Sequence, residues 1–199
     1  MSNKVKVYGT KACGSALVEA FLVWKKIPYS RKEIDYTKPS KAFLRLNPLG
    51  QVPTLVMKDG SVMTESLGVA NFLGLIPKTK RQEFFRWSTY LVAAIYPTFT
   101  YGDDTSQFVS GGKAQKELRL ATDEARKKMW LTFESECDTP FFLGREMSVI
   151  DIYIFVMSFW RPGQDWFKEN TPKLWAVRQC VARDKRFAKV WRFNFGTAL

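Results

Sequence analysis

The chain contains no histidine. Imidazole is the usual near-neutral proton acceptor and a common zinc ligand, so its absence excludes Ser/His/Asp and Cys/His catalysis and most zinc sites. Any chemistry must find its base elsewhere. Cysteine is scarce too: Cys13, Cys137 and Cys180 are odd in number and far apart, which gives neither a disulfide framework nor a cysteine zinc cluster and fits a reducing compartment. No uninterrupted apolar run approaches the roughly 18–20 residues that cross a bilayer, and residues 1–6 hold no apolar signal core. A cytoplasmic protein with no membrane partner is expected. Acidic residues are also few, 19 against 31 Lys+Arg, for a net charge of +12 over 199 residues. That excess is spread along the chain, 12 basic against 5 acidic side chains in residues 1–78 and 19 against 14 in the rest. Its clusters at 25–26, 126–128 and 183–186 are short, and basic and aromatic residues do not alternate along a strand. No nucleic acid is expected as a specific partner, and the charge reads as a general pull on anionic ligands.

Against these absences stand 46% hydrophobic residues, enough for a sizeable core. Alternation over residues 4–8 predicts a strand, followed by a turn at Gly9 and Thr10. Leu17, Val18, Phe21, Leu22 and Trp24 give residues 14–26 one apolar helical face, which ends before Pro28. Residues 29–34 read as a second strand and 40–46 as a short helix stopped by Asn47 and Pro48. Residues 54–57 and 61–63 form a hairpin about Asp59 and Gly60, and a helix opens at Thr64 or Glu65. Beyond a polar connector at 77–80 the pattern is helical, over 81–96, 113–137, 148–160 and 172–182, with Ser148 and Asp151 spaced as a capping box. The second stretch holds 23 aromatic residues against 7 in the first, so most of them must be core. The expected organisation is an α/β unit over 1–78 and an all-helical unit over 79–199.

The order strand, helix, strand, helix, strand, strand, helix, with Val52 and Pro53 ahead of the third strand, resembles the thioredoxin fold. The run Asn47, Pro48, Leu49, Gly50, Gln51, Val52, Pro53, Thr54, Leu55, followed by Thr64, Glu65 and Ser66, resembles the glutathione-binding motifs of cytosolic glutathione transferases. The helical stretch is similar to that family's C-terminal domain, capping box included. The resemblance implies a thioredoxin-like N-terminal domain, an all-α helical-bundle C-terminal domain and a homodimer. It also implies glutathione as co-substrate with no other cofactor, and attack of the glutathione thiolate on a hydrophobic electrophile, a detoxification chemistry.

By the same resemblance, a cis Pro53 would let the Val52 backbone clasp the cysteinyl part of glutathione beside Gln51. Ser66 and the helix start would hold the γ-glutamyl carboxylate, and Glu65 the ammonium. The thiol-activating residue of this family lies after the first strand, where Thr10, Cys13 and Ser15 are the candidates; Tyr8 falls too early, inside the strand. The segment is closer to the serine- and cysteine-type branches than to the tyrosine type. Cys13 and Ser15 are the expected catalytic residues, donating to the sulfur at a helix N-terminus. Cys13 also permits a glutathione-dependent thiol reductase; position 16 is Ala16, so a dithiol pair is excluded. A non-catalytic transferase-like binding module is the third possibility. Tyr96, Phe99, Tyr101 and Trp160 are expected to line the co-substrate pocket, while Cys137 and Cys180 read as packing residues.

Overall fold

The computed structural model describes residues 4–196, which divide into two compact units, Met1–Ile76 with Cys180–Leu199 and Pro77–Gln179. The first unit is built on a sheet of β1 (Val5–Gly9), β2 (Tyr29–Glu33), β3 (Thr54–Val56) and β4 (Val62–Met63) in the order β2-β1-β3-β4. β1 and β2 are parallel, as the intervening crossover helix α1 (Ser15–Trp24) requires, and β3 and β4 are antiparallel to their neighbours. With α2 (Lys41–Leu46) and α3 (Ser66–Phe72) this is the thioredoxin-like arrangement that the sequence order implied. The boundaries follow local chemistry. Ser40 caps α2 by accepting the Phe43 N–H at 3.2 Å, and Asp59 ties the hairpin tip by accepting the Ser61 N–H at 2.9 Å. Eight residues of α1, Ser15 to Leu22, are buried, because the helix is covered on more than its sheet side.

That cover comes from the end of the chain. Residues 180–196 belong by contact to the first unit, although their helical character placed them with the second. They comprise the end of α9 (Pro172–Arg183), a 3-10 turn (Lys185–Phe187) and α10 (Ala188–Phe195). Phe187 sits edge-on to Trp24 of α1 with ring centroids 6.1 Å apart, and Val190 and Trp191 are buried.

The second unit is helical: α4 (Arg81–Tyr90), α5 (Tyr96–Asp103), α6 (Gly112–Ser135), α7 (Val149–Met157), α8 (Gln164–Asn170) and most of α9. The helix expected over 81–96 runs on to Asp103 through a π-helical turn, Leu91–Ile95. Pro97 explains the widening, since it has no N–H to give and its ring crowds the carbonyl four residues back. All nine residues of α7 are buried, and its start is fixed by the capping box. The Asp151 carboxylate accepts the Ser148 N–H at 2.6 Å and the Phe142 N–H at 2.7 Å. No helix among the described residues is long and apolar enough to cross a membrane.

Candidate functional site

The register of the sheet decides which segments meet. Tyr8 pairs with Thr54, and Leu55 with Met63. The C-terminal end of β1, the N-terminal end of β3 and the C-terminal end of β4 therefore lie side by side. This brings the loop with Thr10, Cys13 and Ser15, the pair Val52 and Pro53, and the segment Glu65 and Ser66 to one end of three adjacent strands. They hold the sequence-predicted glutathione residues Val52, Pro53, Glu65 and Ser66, with Gln51 adjoining, and the three candidates for activating the thiol.

Within the first loop the three candidate side chains differ. Ser15 is fully buried; its hydroxyl donates to the Thr10 carbonyl at 2.7 Å and accepts the Thr10 N–H at 3.2 Å. A hydroxyl has one proton, and Ser15 directs its own to the Thr10 carbonyl. Gly9 shows how tight this closure is, since a Cβ there would stand 2.5 Å from the Ser15 Cβ. The Thr10 hydroxyl is likewise spent on the Ile34 carbonyl. Cys13 is half-buried, outside any disulfide, and one residue ahead of the Gly14 that opens α1. Tyr8 stacks on Phe43, centroids 5.7 Å apart, and belongs to the core.

The second segment is tied from below. Asn47, buried, donates through Nδ2 to the Gln51 carbonyl at 2.9 Å and to the Thr54 hydroxyl at 3.1 Å, while its Oδ1 accepts the Leu49 N–H at 3.1 Å. The Gln51 side chain is exposed, Val52 packs on the Tyr8, Ile34 and Phe43 cluster, and the Val52–Pro53 peptide is cis. In the third segment Glu65 is exposed and has φ +59° and ψ 99°, outside the regions that L-residues favour. Its side chain makes no capping bond to α3, so the strained backbone is not the by-product of a cap. Ser66, half-buried, opens that helix.

In the helical unit three of the four expected co-substrate residues come together. Trp160 lies edge-on to Tyr96 at 5.5 Å and to Phe99 at 5.2 Å. Phe99 is buried, backed by the Arg126 guanidinium 3.9 Å from its ring centroid. Arg126 is itself fully buried and satisfied, by the Thr98 hydroxyl and carbonyl and by Asp123. Tyr101 stands apart: half exposed, it packs on Phe108 at 4.9 Å. A groove of about 440 Å³ lined by Lys80, Asp138, Gly144, Arg145 and Ser148 includes none of these residues. Burial pushes the Cys137 thiol up to about 12, with Glu134 adding to it, which suits a packing residue; Cys180 is half-buried on α9.

The family model for the glutathione S-transferase N-terminal domain matches residues 16–75. The uncharacterized GST-like protein YncG of Escherichia coli K12 is 31% identical over 203 residues, an alignment that covers 96% of this chain and 98% of that one. The chain belongs to the glutathione S-transferase family. Glutathione S-transferase GST-4.5 of Xanthomonas campestris is 30% identical over 174 residues, covering 78% and 82% of the two chains. Among solved structures, a glutathione transferase homologue from Sulfitobacter with bound glutathione superposes with a TM-score of 0.81 at 20% identity, over 95% of this chain and 97% of that one. A sphingomonad glutathione S-transferase complexed with glutathione gives 0.75 at 22%, over 94% and 97%. At these identities the superpositions establish the fold.

The glutathione S-transferase motifs led to Val52, Pro53, Glu65 and Ser66 but left out residues that act through the backbone. Asn47 belongs to the motif run, and its burial beneath Gln51 is what an Asn–Pro pair at a helix end can signal. Glu19 and Asn194 gave no signal. An acid inside an otherwise apolar helix was the nearest hint, for a buried carboxylate needs partners.

Proposed function

We propose that the protein binds glutathione at the sheet end formed by Cys13, Gln51, Val52, Pro53, Glu65 and Ser66, and transfers its thiolate to a hydrophobic electrophile. The observation that carries this reading is the register that aligns the ends of β1, β3 and β4, and with them all three motif segments. In it, Val52 offers its backbone to the cysteinyl part of the ligand. Ser66 takes the γ-glutamyl carboxylate and Glu65 its ammonium. Cys13, ahead of α1, lies beside the sulfur, where a thiol donor and the positive end of a ten-residue helix favour the thiolate without a histidine base. This assigns the chain to the cysteine-type branch of the family. No further cofactor is needed, because the nucleophile arrives with the substrate. A homodimer is part of the proposal; exposed Phe72 on α3 and Phe85 on α4 are apolar surface that a second copy would cover.

A second reading has its own support, in that the Thr10 and Ser15 hydroxyls are both committed while Cys13 is not buried. Here the Cys13 thiolate attacks a glutathionylated thiol and releases that thiol. A second glutathione thiolate then takes the glutathionyl group from Cys13 as glutathione disulfide. Conjugation and disulfide-reduction assays on wild type, Cys13→Ala and Ser15→Ala separate the cases. Transferase chemistry predicts that Cys13→Ala lowers conjugation about 10-fold or more. Loss of reduction alone in Cys13→Ala favours the reductase. Retention on immobilised glutathione with neither activity makes the protein a binding module, and no retention at millimolar ligand removes the proposal. Light scattering at the mass of one chain removes the dimer.

A further inference from the structure

The loop that carries Cys13 is held in an unfavourable shape. Ala12 has φ +57°, a left-handed backbone that costs a non-glycine residue about 1 kcal/mol and persists only where neighbours over-determine it. Two side chains do so. The Lys11 N–H donates to Glu33 Oε1 at 3.1 Å, and the Ala12 N–H donates to Asn194 Oδ1 at 3.3 Å. Asn194 comes from α10, 182 residues along the chain, and is buried. Its amide also donates to the Val190 carbonyl at 3.0 Å and lies beside the Glu19 carboxylate, whose charged form it favours.

Glu19 closes the arrangement. Buried in α1, it accepts the Tyr29 hydroxyl at 3.1 Å and lies 3.2 Å from Arg31 Nε, while Arg31 Nη1 reaches Glu33 Oε2 at 2.8 Å. The two acceptors on the loop are thus joined behind it, Asn194 through Glu19 and Glu33 through Arg31. The Phe193 ring lies under both cations of this corner, 4.5 Å from the Arg31 guanidinium and 4.8 Å from Lys11 Nζ. A buried amide that accepts the Ala12 N–H and donates to the Val190 carbonyl leaves both unsatisfied if it turns, and the Glu19 carboxylate beside it favours the same orientation.

We infer that Asn194, oriented by its bond to the Val190 carbonyl, is a positioning residue that sets the loop 10–13 and so the place of Cys13 relative to the bound glutathione sulfur. The inference rests on the proposed role of Cys13. Asn194→Leu removes the loop acceptor while keeping the number and branching of the side-chain heavy atoms. Cys180, half-buried on α9, serves as the control thiol, since a general loosening of the fold would expose it as well. Two readouts apply: steady-state conjugation of glutathione to a chloronitrobenzene, and alkylation of Cys13 by iodoacetamide followed by peptide mass spectrometry.

Asn194→Leu should lower kcat about 10-fold while KM for glutathione moves less than about 3-fold, since the ligand's main anchors lie on the other two segments. Its Cys13 should alkylate about fivefold faster as the loop opens locally. The Cys180 rate should stay within about twofold of wild type. Glu33→Ala, on an exposed side chain that the core does not need, should speed Cys13 alkylation about twofold. Kinetics and alkylation within about twofold of wild type in Asn194→Leu would overturn the inference. So would an equal rise in Cys13 and Cys180 alkylation in Asn194→Leu, which would tie the effect to the fold and not to the loop, and so would an unchanged Cys13 in Glu33→Ala. If wild type neither conjugates nor binds glutathione, the proposed function fails while the alkylation comparison still decides whether Asn194 holds the loop.

Discussion

Glu65 is the residue at which function and stability most directly oppose each other. Its φ of +59° with ψ 99° costs about 1–3 kcal/mol, and no capping bond from its side chain offsets this. Glycine adopts that backbone without a steric penalty, at an entropic cost of about 0.5–1 kcal/mol in the unfolded chain. Glu65→Gly should therefore raise the unfolding free energy by about 1 kcal/mol in urea titration. The same change removes the carboxylate assigned to the glutathione ammonium, and KM for glutathione should rise about 10-fold or more. A variant that is destabilised, or one that binds glutathione as wild type does, would show that the strain serves something other than the ligand.

At the scale of elements, α7 depends on a single carboxylate. Asp151 is fully buried, and burial outweighs its three hydrogen bonds, from the Phe142 N–H and from the Ser148 N–H and hydroxyl, pushing its pKa up to about 6. The folded chain thus holds a proton that the unfolded chain, near the ordinary value of 3.8, has lost. This group's contribution is fully present below about pH 4 and falls away as pH rises through 6. Asp151→Asn does not titrate there. It also turns an amide N–H toward a backbone donor, for an expected loss of about 2–4 kcal/mol. The stability gap between wild type and Asp151→Asn should widen as pH falls from about 7 to 4, by up to about 3 kcal/mol. A gap that narrows would show that hydrogen bonding, not burial, sets the protonation of Asp151. The capping box was legible in the sequence because its chemistry is local, as were β1, α1, β2 and the hairpin, whose periodicities lie within about ten residues. α8 was not, since its seven residues bury Phe167 alone and present no periodic face. α10 is an amphipathic pattern whose destination, helix α1 near the other end of the chain, no local pattern encodes. The tie of Ser15 was hidden for a related reason: a sequence displays a hydroxyl but not the Thr10 backbone to which it is bonded.

For the whole molecule, the fold redistributes the charge that looked even along the chain. The unit Met1–Ile76 with Cys180–Leu199 carries 16 Lys+Arg against 6 Asp+Glu, and Pro77–Gln179 carries 15 against 13. Of the net +12, the first unit therefore holds +10, because residues 180–199 bring it Arg183, Lys185, Arg186, Lys189 and Arg192 against Asp184. Arg186 and Asp184 pair at 2.5 Å, and the other four cations of that stretch are exposed. The field at the proposed glutathione site is thus that of a strongly cationic unit, and glutathione at neutral pH is an anion. Long-range attraction of this kind acts across water and is screened within about 8 Å at physiological ionic strength. Raising salt from about 0.02 to 0.3 M should increase KM for glutathione about 2- to 3-fold while leaving kcat unchanged, since local hydrogen bonds at the sulfur are not screened. Charge reversal of exposed cations on α10, Lys189→Glu with Arg192→Glu, should raise KM at low salt and flatten its salt dependence, with no change in thermal stability beyond about a degree or two. A KM that ignores salt in wild type would mean that glutathione is recognised by contact alone and that the +10 unit serves a different anion.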